Sequence, residues 1–414
     1  MSNASIWIIS LLTIVAIILR PFKLNEAIWA VTGAIALLLF GLIVPADALK
    51  GLLKGTDVYL FLAGMMLLAE TARQEKLFDW AASFAIRLSR GSGSRLFFLV
   101  YFTGIIITAF LSNDATAVVL TPAVAAATKT ANIKKPLPFL FICAFIANAA
   151  SFVLPISNPA NLVIYQSHLP PLGPWISQYA FPSAVAIVFT FYLLRYTQRN
   201  DLKQPIQSQN TQPKLSTGAK TALFGIASTS IVLLVCSALG IQLGLPTLIT
   251  GVITSSIVVI RSRKNPYPVI KEISWSILLL VAGLFVIVEG LTKTGAIQQL
   301  SLLLQHSFSY SETSTIWMTG LASAYGSNFL NNLPTGLIMG SALATNHFPE
   351  IIKRAILVGT DLGPNLSVTG SLATILWLAV LRREGYEITG WKFFKVGAIV
   401  MSITLFFVLA SLFI

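Results

Sequence analysis

Residues 155–161 read Pro155-Ile-Ser-Asn-Pro-Ala-Asn161, and they interrupt an apolar stretch that runs from Phe139 to Ile164. Two prolines cannot continue a helix, because proline lacks a backbone donor and its ring clashes with the preceding turn. The apolar residues around them are too many for one membrane-crossing helix and too few for two. The sequence therefore predicts a helix that is broken inside a bilayer, where every backbone polar group must be satisfied.

The composition of the whole chain indicates a membrane protein. Of its 414 residues, 55% are hydrophobic and only 10% are charged, and the mean hydropathy is +0.79. A soluble domain has about 25% charged residues, and a chain with so few could not cover its surface. Apolar runs long enough to span a bilayer recur without the alternation of a β-barrel, so we predict an all-α polytopic membrane protein.

The formal net charge of +13 does not indicate nucleic-acid binding, because the Lys and Arg residues lie in short loops between the apolar runs. The partner that the pattern indicates is the lipid bilayer. Cys143 and Cys236 lie in apolar helices, where free cysteines behave as small hydrophobes. No Walker motif is present, so we expect a transporter rather than an enzyme, with no cofactor and no metal.

Three landmarks recur in the same order in the two halves of the chain. Two of them lie 219 positions apart, and the third lies 204 positions apart. They pair Ala63-Gly64 and Glu70 with Ala282-Gly283 and Glu289, then 112–116 with 331–335, and finally 157–162 with 361–366. Corresponding interrupted apolar segments are typical of secondary transporters. We predict a first repeat over 1–197, a flexible cytoplasmic linker over 198–219 and a second repeat over 220–414.

Each repeat is predicted to contain five transmembrane helices, one of them broken, and a re-entrant hairpin at about 95–129 or 311–345. An odd number of crossings makes the repeats inverted. With both termini outside, most of the 28 Lys and Arg residues fall in the cytoplasm, as the positive-inside rule requires. The exceptions are Lys50, Lys54, Lys293, Lys353 and Arg354. We predict this topology in the cell inner (cytoplasmic) membrane.

Polar residues concentrate at four breaks, which are the two hairpin tips and the two broken helices. Asp114 and Asp361 are ionisable groups at membrane depth, and such groups are functional candidates. An alternative is that both only cap helices, and that Glu70 and Glu289 only reach the interface. The amides and hydroxyls at the breaks are the candidate substrate ligands: Ser112, Asn113, Thr116, Asn158, Asn161, Asn332, Thr335 and Asn365.

None of the four breaks contains Lys, Arg, His or Cys. An anionic substrate favours a positive partner, although helix N-termini supply part of that field. The breaks therefore indicate a neutral polyhydroxy solute or a small cation.

At these residues the chain resembles the ArsB-type arsenite/antimonite efflux permeases of the ion transporter superfamily. The resemblance is carried by 112–115, 157–161, 331–335 and 359–365, and it covers essentially the whole chain. It implies export of trivalent arsenic and antimony, by proton antiport or with an ArsA-type ATPase as partner. Carboxylate carriers of the superfamily typically have Thr where this chain has Asp114, which argues against a carboxylate substrate.

The candidate residues fit that implied substrate. Arsenous acid is a neutral trihydroxide at neutral pH, and hydrogen bonds from amides and hydroxyls would hold it reversibly. A neutral solute does not respond to the membrane potential, so uphill export requires coupling. We assign proton coupling to Asp114 and Asp361, because burial opposes the charged form of a carboxylate. Alternatives are a sodium/proton antiporter or a silicic-acid-type exporter of the superfamily, and a passive channel or receptor.

Overall fold

The computed structural model describes residues 3–204, 206 and 214–414, without the side chains at positions 23 and 167. Within these residues the chain is helical and contains no strand. Eleven helices precede the described gap: α1 Asn3–Leu19, α2 Glu26–Leu39, α3 Pro45–Lys54, α4 Thr56–Gln74, α5 Leu77–Ser89, α6 Gly93–Phe110, α7 Asn113–Ala115, α8 Thr121–Thr130, α9 Leu137–Ala149, α10 Pro159–Tyr165 and α11 Leu172–Thr197.

Ten helices follow the gap, and their order repeats that of the first half: α12 Thr217–Ala238, α13 Gly244–Ser262, α14 Tyr267–Glu272, α15 Ser276–Lys293, α16 Ala296–Tyr310, α17 Glu312–Leu330, α18 Asn332–Ala344, α19 Glu350–Leu362, α20 Leu372–Arg383 and α21 Gly390–Ser411. The counterpart of α18 is divided, because a π-helical turn over Thr116–Leu120 separates α7 from α8. Such turns occur mostly as single insertions, often at functional sites.

The two halves contact each other through reciprocal pairs of helices. Helix α4 packs on α13, and α2 packs on α15. In helix order α2 corresponds to α13 and α4 to α15, so the second contact is the first with the halves exchanged. Helix α11 packs on its own counterpart α21. Two halves related by an approximate two-fold axis produce this pattern, and the inversion of one half relative to the other stays a prediction.

The positions of the helices correct one predicted equivalence between residues of the two halves, that of Asp361. Helices α9 and α10 begin at 137 and 159, and their counterparts α19 and α20 begin at 350 and 372. Asp361 therefore corresponds to Asn148, and the motif offset that paired it with Ser157 was wrong. Proline has a different role in each half: Pro159 begins α10, whereas Pro364 lies in the 3-10 turn that ends α19.

Six of the described helical segments are long and apolar enough to cross a membrane: Gly93–Phe110, Leu172–Thr197, Thr217–Ala238, Gly244–Ser262, Tyr267–Lys293 and Gly390–Ser411. Helices α3 and α4, bent by 48°, form a seventh candidate. This confirms the multi-pass, all-helical membrane protein. Of the six segments, Gly93–Phe110 belongs to the segment that we predicted as the re-entrant hairpin 95–129, although it is long enough to cross. The remaining predicted spans are shorter helices, α1 and α2, or divided ones, α9–α10 and α19–α20.

The ion pairs fall into two sets, one on each predicted side of the membrane. No ion pair in the described part of the chain joins a group predicted outside to one predicted in the cytoplasm. The predicted outer pairs are Lys54–Glu289 at 2.6 Å, Lys293–Asp47 at 2.9 Å and Lys353–Glu350 at 3.1 Å. The predicted inner pairs are Arg20–Glu26, Arg73–Glu70, Arg73–Glu272, Lys129–Glu384, Lys135–Asp201 and Lys264–Glu75.

The described part of the predicted linker is packed against the first half. Leu202 and Ile206 are buried, and the Ile206 amide donates to the Gly91 carbonyl at 3.2 Å. Lys135 holds Asp201 at 2.7 Å. Helix α12 begins at Thr217. The remainder of the predicted linker, at 205 and 207–213, lies outside the described residues.

The division of the ion pairs between two predicted membrane faces leads to a testable prediction of topology. In a Cys143→Ala, Cys236→Ala background, Gln242→Cys should react with a membrane-impermeant maleimide added to intact cells. Glu387→Cys should react only after permeabilisation, because it lies by the loop of Arg382 and Arg383, which the positive-inside rule keeps in the cytoplasm. Both positions are exposed. The reverse labelling pattern would contradict the predicted orientation.

Candidate functional site

Asp361 is fully buried near the end of α19 and receives two hydrogen bonds from the other half of the chain. Ser151 Oγ donates to its Oδ2 at 2.6 Å, and Asn158 Nδ2 donates to its Oδ1 at 2.8 Å. Asn158 is also the N-cap of α10, since its Oδ1 accepts from the Ala160 amide at 3.0 Å. The carboxylate of one half is therefore held by the break in the helix of the other half.

Asn148, the counterpart of Asp361, makes the matching contacts in the opposite direction. Ser371 Oγ donates to its Oδ1 at 3.3 Å, and Ser371 is the N-cap of α20. Asn148 Nδ2 donates to Asn365 Oδ1 at 3.0 Å, while Asn365 Nδ2 donates to the Phe145 carbonyl at 3.1 Å. Each half thus places the end of its first half-helix against the cap of the other half's second half-helix.

Asn161 holds the first break closed. Its amide nitrogen donates to the carbonyls of Ser151 at 3.0 Å, Pro155 at 3.3 Å and Leu154 at 3.4 Å. The Leu154 carbonyl also accepts from the Ser157 amide at 3.0 Å, whereas no other hydrogen bond described here reaches the Ser151 and Pro155 carbonyls, and unpaired carbonyls at membrane depth are costly. The oxygen of the Asn161 side-chain amide is buried and has no partner among the described residues.

The tip between α6 and α7 carries Asp114. Ser112 Oγ accepts from the Ala115 amide at 3.1 Å, and Asn113 Oδ1 accepts from the Asp114 amide at 2.8 Å. Thr116 pairs with Thr108 at 2.8 Å. These three side chains fix the turn and leave the Asp114 carboxylate to face a cavity.

That cavity has a volume of about 60 Å³ and is lined by residues of both halves, among them Asp114, Glu70, Glu272, Ser112 and Pro159. Its size allows a few waters but no large solute. Pro159 lies beside Asn158, the ligand of Asp361, so the start of α10 is adjacent to both carboxylates. No hydrogen bond in the described structure joins Asp114 to Asp361 directly.

The second tip is tied to the second break. Asn331 has φ 75°, and the next amide, that of Asn332, donates to the Gly370 carbonyl at 2.9 Å. Asn328 Nδ2 donates to the Gly363 carbonyl at 2.9 Å, and its Oδ1 accepts from Ser367 Oγ at 2.6 Å. The tip between α17 and α18 is therefore bonded to the chain that follows α19.

Buried polar atoms without partners gather where α17, α18 and α19 meet. They are Ser323 Oγ, Asn332 Oδ1, Thr335 Oγ1 and Thr360 Oγ1. A Cβ at Gly336, next to Thr335, would lie 3.7 Å from the Thr360 methyl. Single unpartnered hydroxyls also occur elsewhere, such as Ser10, Thr190 and Thr404. A cluster of them suits a ligand or water, because buried polar groups are normally hydrogen-bonded.

The structure divides the predicted site residues into three groups. Asn158, Asn365 and Asp361 share the network between the breaks, with Asn161 beside it. Ser112, Asn113, Asp114 and Thr116 form the first tip, and Asn332 and Thr335 belong to the second. Sequence reasoning missed Asn148, Ser151, Ser371, Asn328 and Thr360. The signal for Asn148 and Ser151 was present, since both are polar residues inside an apolar run.

Glu70 and Glu289 are buried and paired with basic groups, so neither side chain reaches freely to an interface. Arg73 holds both oxygens of Glu70 at 2.7 Å. Lys54 holds Glu289 at 2.6 Å. Only Glu70 lines the cavity that Asp114 faces.

Helices broken at paired, hydrogen-bonded termini are typical of membrane transporters. The family model described as CitMHS, citrate transporter, matches residues 14–359. The chain belongs to this family of membrane transporters.

Curated relatives are similar over nearly their whole length. The arsenical pump membrane protein of Escherichia coli (strain K12) is 28% identical over 418 residues, covering 98% of this chain and 97% of that protein. The putative arsenical pump membrane protein of Bacillus subtilis (strain 168) is 26% identical, with 97% of each chain covered. The resemblance to arsenical pump proteins is therefore confirmed.

Two solved transporters share the fold. The Alcanivorax borkumensis YdaH transporter has a TM-score of 0.55 at 15% identity, covering 88% of this chain and 86% of its own. Neisseria gonorrhoeae MtrF, described as illuminating a class of antimetabolite efflux pumps, has a TM-score of 0.55 at 13% identity, with 89% and 82% covered. At this identity the likeness concerns the fold alone.

The bond from Asn158 to Asp361 yields a stability prediction. Asn158→Ala removes a helix cap, worth about 1 kcal/mol, and a bond to a buried carboxylate, worth about 1.5–3 kcal/mol. Asn25→Ala is the matched control, because Asn25 caps α2 by the same kind of bond at 3.0 Å and is exposed. Thermal unfolding in detergent should show the larger fall in midpoint for Asn158→Ala. Equal falls would contradict the role assigned to this bond.

Proposed function

We propose that this protein is a secondary active transporter that exports arsenite and antimonite across the cytoplasmic membrane in exchange for protons. One observation carries the proposal. Two carboxylates and a cluster of neutral, unpartnered oxygens surround the broken helices, and no Lys, Arg or His of the described chain lines the Asp114 cavity or hydrogen-bonds to Asp361. The names of the curated relatives support the substrate.

The charge at this site opposes citrate, although the family model is described as a citrate transporter. Citrate is a polyvalent anion at neutral pH and would meet Asp114 and Asp361 without a cationic side chain to offset its desolvation. A neutral trihydroxide requires only hydrogen-bonding groups. The unpartnered oxygens of Asn332, Thr335 and Thr360 offer such groups.

The substrate group of the proposal is Ser112, Asn113, Thr116, Asn158, Asn161, Asn332, Thr335 and Asn365. The hydrogen bonds support three different roles for these residues. Asn158, Asn161 and Asn365 would fix the shape of the breaks, whereas Asn332 and Thr335 have free oxygens to offer a ligand. Ser112, Asn113 and Thr116 shape the first tip.

Asp114 and Asp361 are proposed to carry the protons. Protonation of a buried carboxylate removes the desolvation cost of its charge. A movement of the hairpin tips that buries or exposes the carboxylate would therefore favour proton binding or release. Ser151 and Asn158 come from the first half and Asp361 from the second. Movement of one half against the other would change the solvation of Asp361 and hence its tendency to hold a proton.

The transport cycle that we propose uses both hairpins, 95–129 and 311–345, as re-entrant elements of two inverted repeats. Their tips reach the site from opposite membrane faces. This arrangement supports alternating access, in which one repeat element rocks around a fixed site. An ArsA-type ATPase on the cytoplasmic loops is a proposed partner.

The coupling proposal is tested by arsenite uptake into everted membrane vesicles with an acidic interior. We expect the wild type to accumulate arsenite and an ionophore that collapses the proton gradient to abolish this. Asp114→Asn and Asp361→Asn should lose accumulation yet retain arsenite exchange at equal concentrations on both sides. Asp201→Asn, which alters a surface ion pair, is the matched control and should match the wild type.

Four outcomes would overturn parts of this proposal. Wild-type-like accumulation in both Asp variants would exclude their role in coupling. Arsenite uptake that never exceeds equilibrium would indicate a passive channel. Sodium-induced dequenching of a pH dye without arsenite transport would indicate a sodium/proton antiporter, and displacement of arsenite by silicic acid would indicate the silicic-acid-type exporter.

The proposed substrate contacts are tested by Thr335→Val and Thr360→Val, which keep shape and remove a hydroxyl. Loss of one hydrogen bond costs about 0.5–1.5 kcal/mol, so the KM for arsenite should rise about 2- to 10-fold. Thr404→Val is the matched control, because its hydroxyl is also buried and unpartnered but lies on α21. A rise in KM for Thr404→Val equal to the others would contradict the assignment.

A further inference from the structure

A basic cavity lies where the chain enters α12, remote from the broken helices. It has a volume of about 470 Å³ and is lined by the ends of α4 and α13 and the start of α12. Its cations are Lys76, Lys214, Arg261 and Lys264. We call it the basic pocket.

The basic pocket has a surplus of positive charge. Its single carboxylate is Glu75, which is buried and pairs with Lys264 at 2.9 Å. Lys76, Lys214 and Arg261 form no ion pair among the described residues. Three cations in one concave site, without anionic partners, are suited to an anionic group from outside the protein.

Two apolar grooves lead away from the basic pocket along opposite sides of α12. One, of about 490 Å³, runs between α12 and α13, and it shares Thr217 and Arg261 with the pocket. The other, of about 410 Å³, runs between α12 and helices α5 and α6, and it shares Trp80 with the pocket. The first is lined by Phe224, Val232 and Ile253 together with Thr and Ser side chains, and it has Lys220 and Arg261 near the basic pocket. The second is lined by Leu223 and Ile226 among others.

We propose that one anionic phospholipid binds here, with its headgroup in the basic pocket and an acyl chain in each groove, astride α12. The pocket supplies charge for a phosphodiester, and the two grooves match the two chains of a diacyl lipid in number and apolar lining. The cations of the pocket are all predicted to be cytoplasmic, and the cytoplasmic leaflet carries the anionic lipids that basic pockets bind.

The joined grooves favour a lipid over a free phosphate or an acidic protein segment. A free phosphate would use the basic pocket alone and gain nothing from the grooves. An acidic protein segment would have to insert apolar side chains on both sides of a helix that faces the bilayer. Phe224 is 74% exposed, and such a side chain is favourable only against lipid or another apolar surface.

The experiment measures retained lipid by native mass spectrometry. The full chain, in nanodiscs of phosphatidylcholine with a minor fraction of phosphatidylglycerol, is released and its bound lipids are counted. We expect one phosphatidylglycerol to be retained in preference to phosphatidylcholine. Lys76→Gln with Lys214→Gln and Arg261→Gln should remove a preference of roughly 100-fold, since each cation near a membrane surface contributes about 1 kcal/mol, which is about fivefold.

The matched control changes three other exposed cations that are predicted to be cytoplasmic, Arg195→Gln, Lys203→Gln and Lys392→Gln, and should leave the preference intact. Single-chain lysophosphatidylglycerol should bind more weakly than the diacyl lipid, and glycerol phosphate should not displace it. Equal retention of both lipids by the wild type would overturn the proposal. So would an unaltered preference in the triple variant, or full displacement by glycerol phosphate or by an acidic peptide.

Ile253→Trp separates lipid binding from folding, because Ile253 is 52% exposed, lines the groove between α12 and α13 and lies about two helical turns from Arg261. It should weaken diacyl phosphatidylglycerol while leaving the thermal unfolding midpoint in detergent close to that of the wild type. Unchanged retention of phosphatidylglycerol in this variant would contradict the acyl-chain part of the proposal.

Discussion

The hydrogen bonds from Ser151 and Asn158 to Asp361 are the interaction on which the rest of the structure depends. A carboxylate with no exposed surface is tolerable at membrane depth only if donors surround it. Helix backbone cannot supply those donors, because its amides are already used. The chain therefore breaks at 150–158, where a serine and an asparagine are free to turn toward α19. The break thus places both donors against the carboxylate of the opposite half.

The breaks are stabilised locally by side chains that replace the missing backbone partners. Asn161 donates to three carbonyls of the first break, Asn328 donates to the Gly363 carbonyl of the second, and Asn365 reaches from the second break to the Phe145 carbonyl of α9. This explains why asparagine recurs at each interruption, since one amide group both donates and accepts. The same residues keep the breaks ordered and leave a few oxygens unused. Those unused oxygens make the region suitable for recognising hydroxyl groups.

The sequence predicted the helical membrane fold and the location of the breaks, because proline, asparagine and charge in apolar runs have direct physical meanings. It did not predict which side chains meet. Asn148 lay inside the run 139–154 and resembled part of a continuous span. Its contact with Ser371 depends on packing between segments 223 positions apart. Local similarity also misled the pairing of Asp361, because Asn-Pro begins a helix in one half and Pro-Asn ends one in the other.

Asp361 and Asn148 occupy equivalent positions, each facing the cap of the opposite half. Aspartate and asparagine side chains have nearly the same shape, so both halves can keep the same packing at this position. Only the aspartate can ionise. Only an ionisable group can take up and release a proton, and a charge at membrane depth responds to the membrane potential. The position therefore has a scaffold role in both halves, whereas only the second half places an ionisable group there.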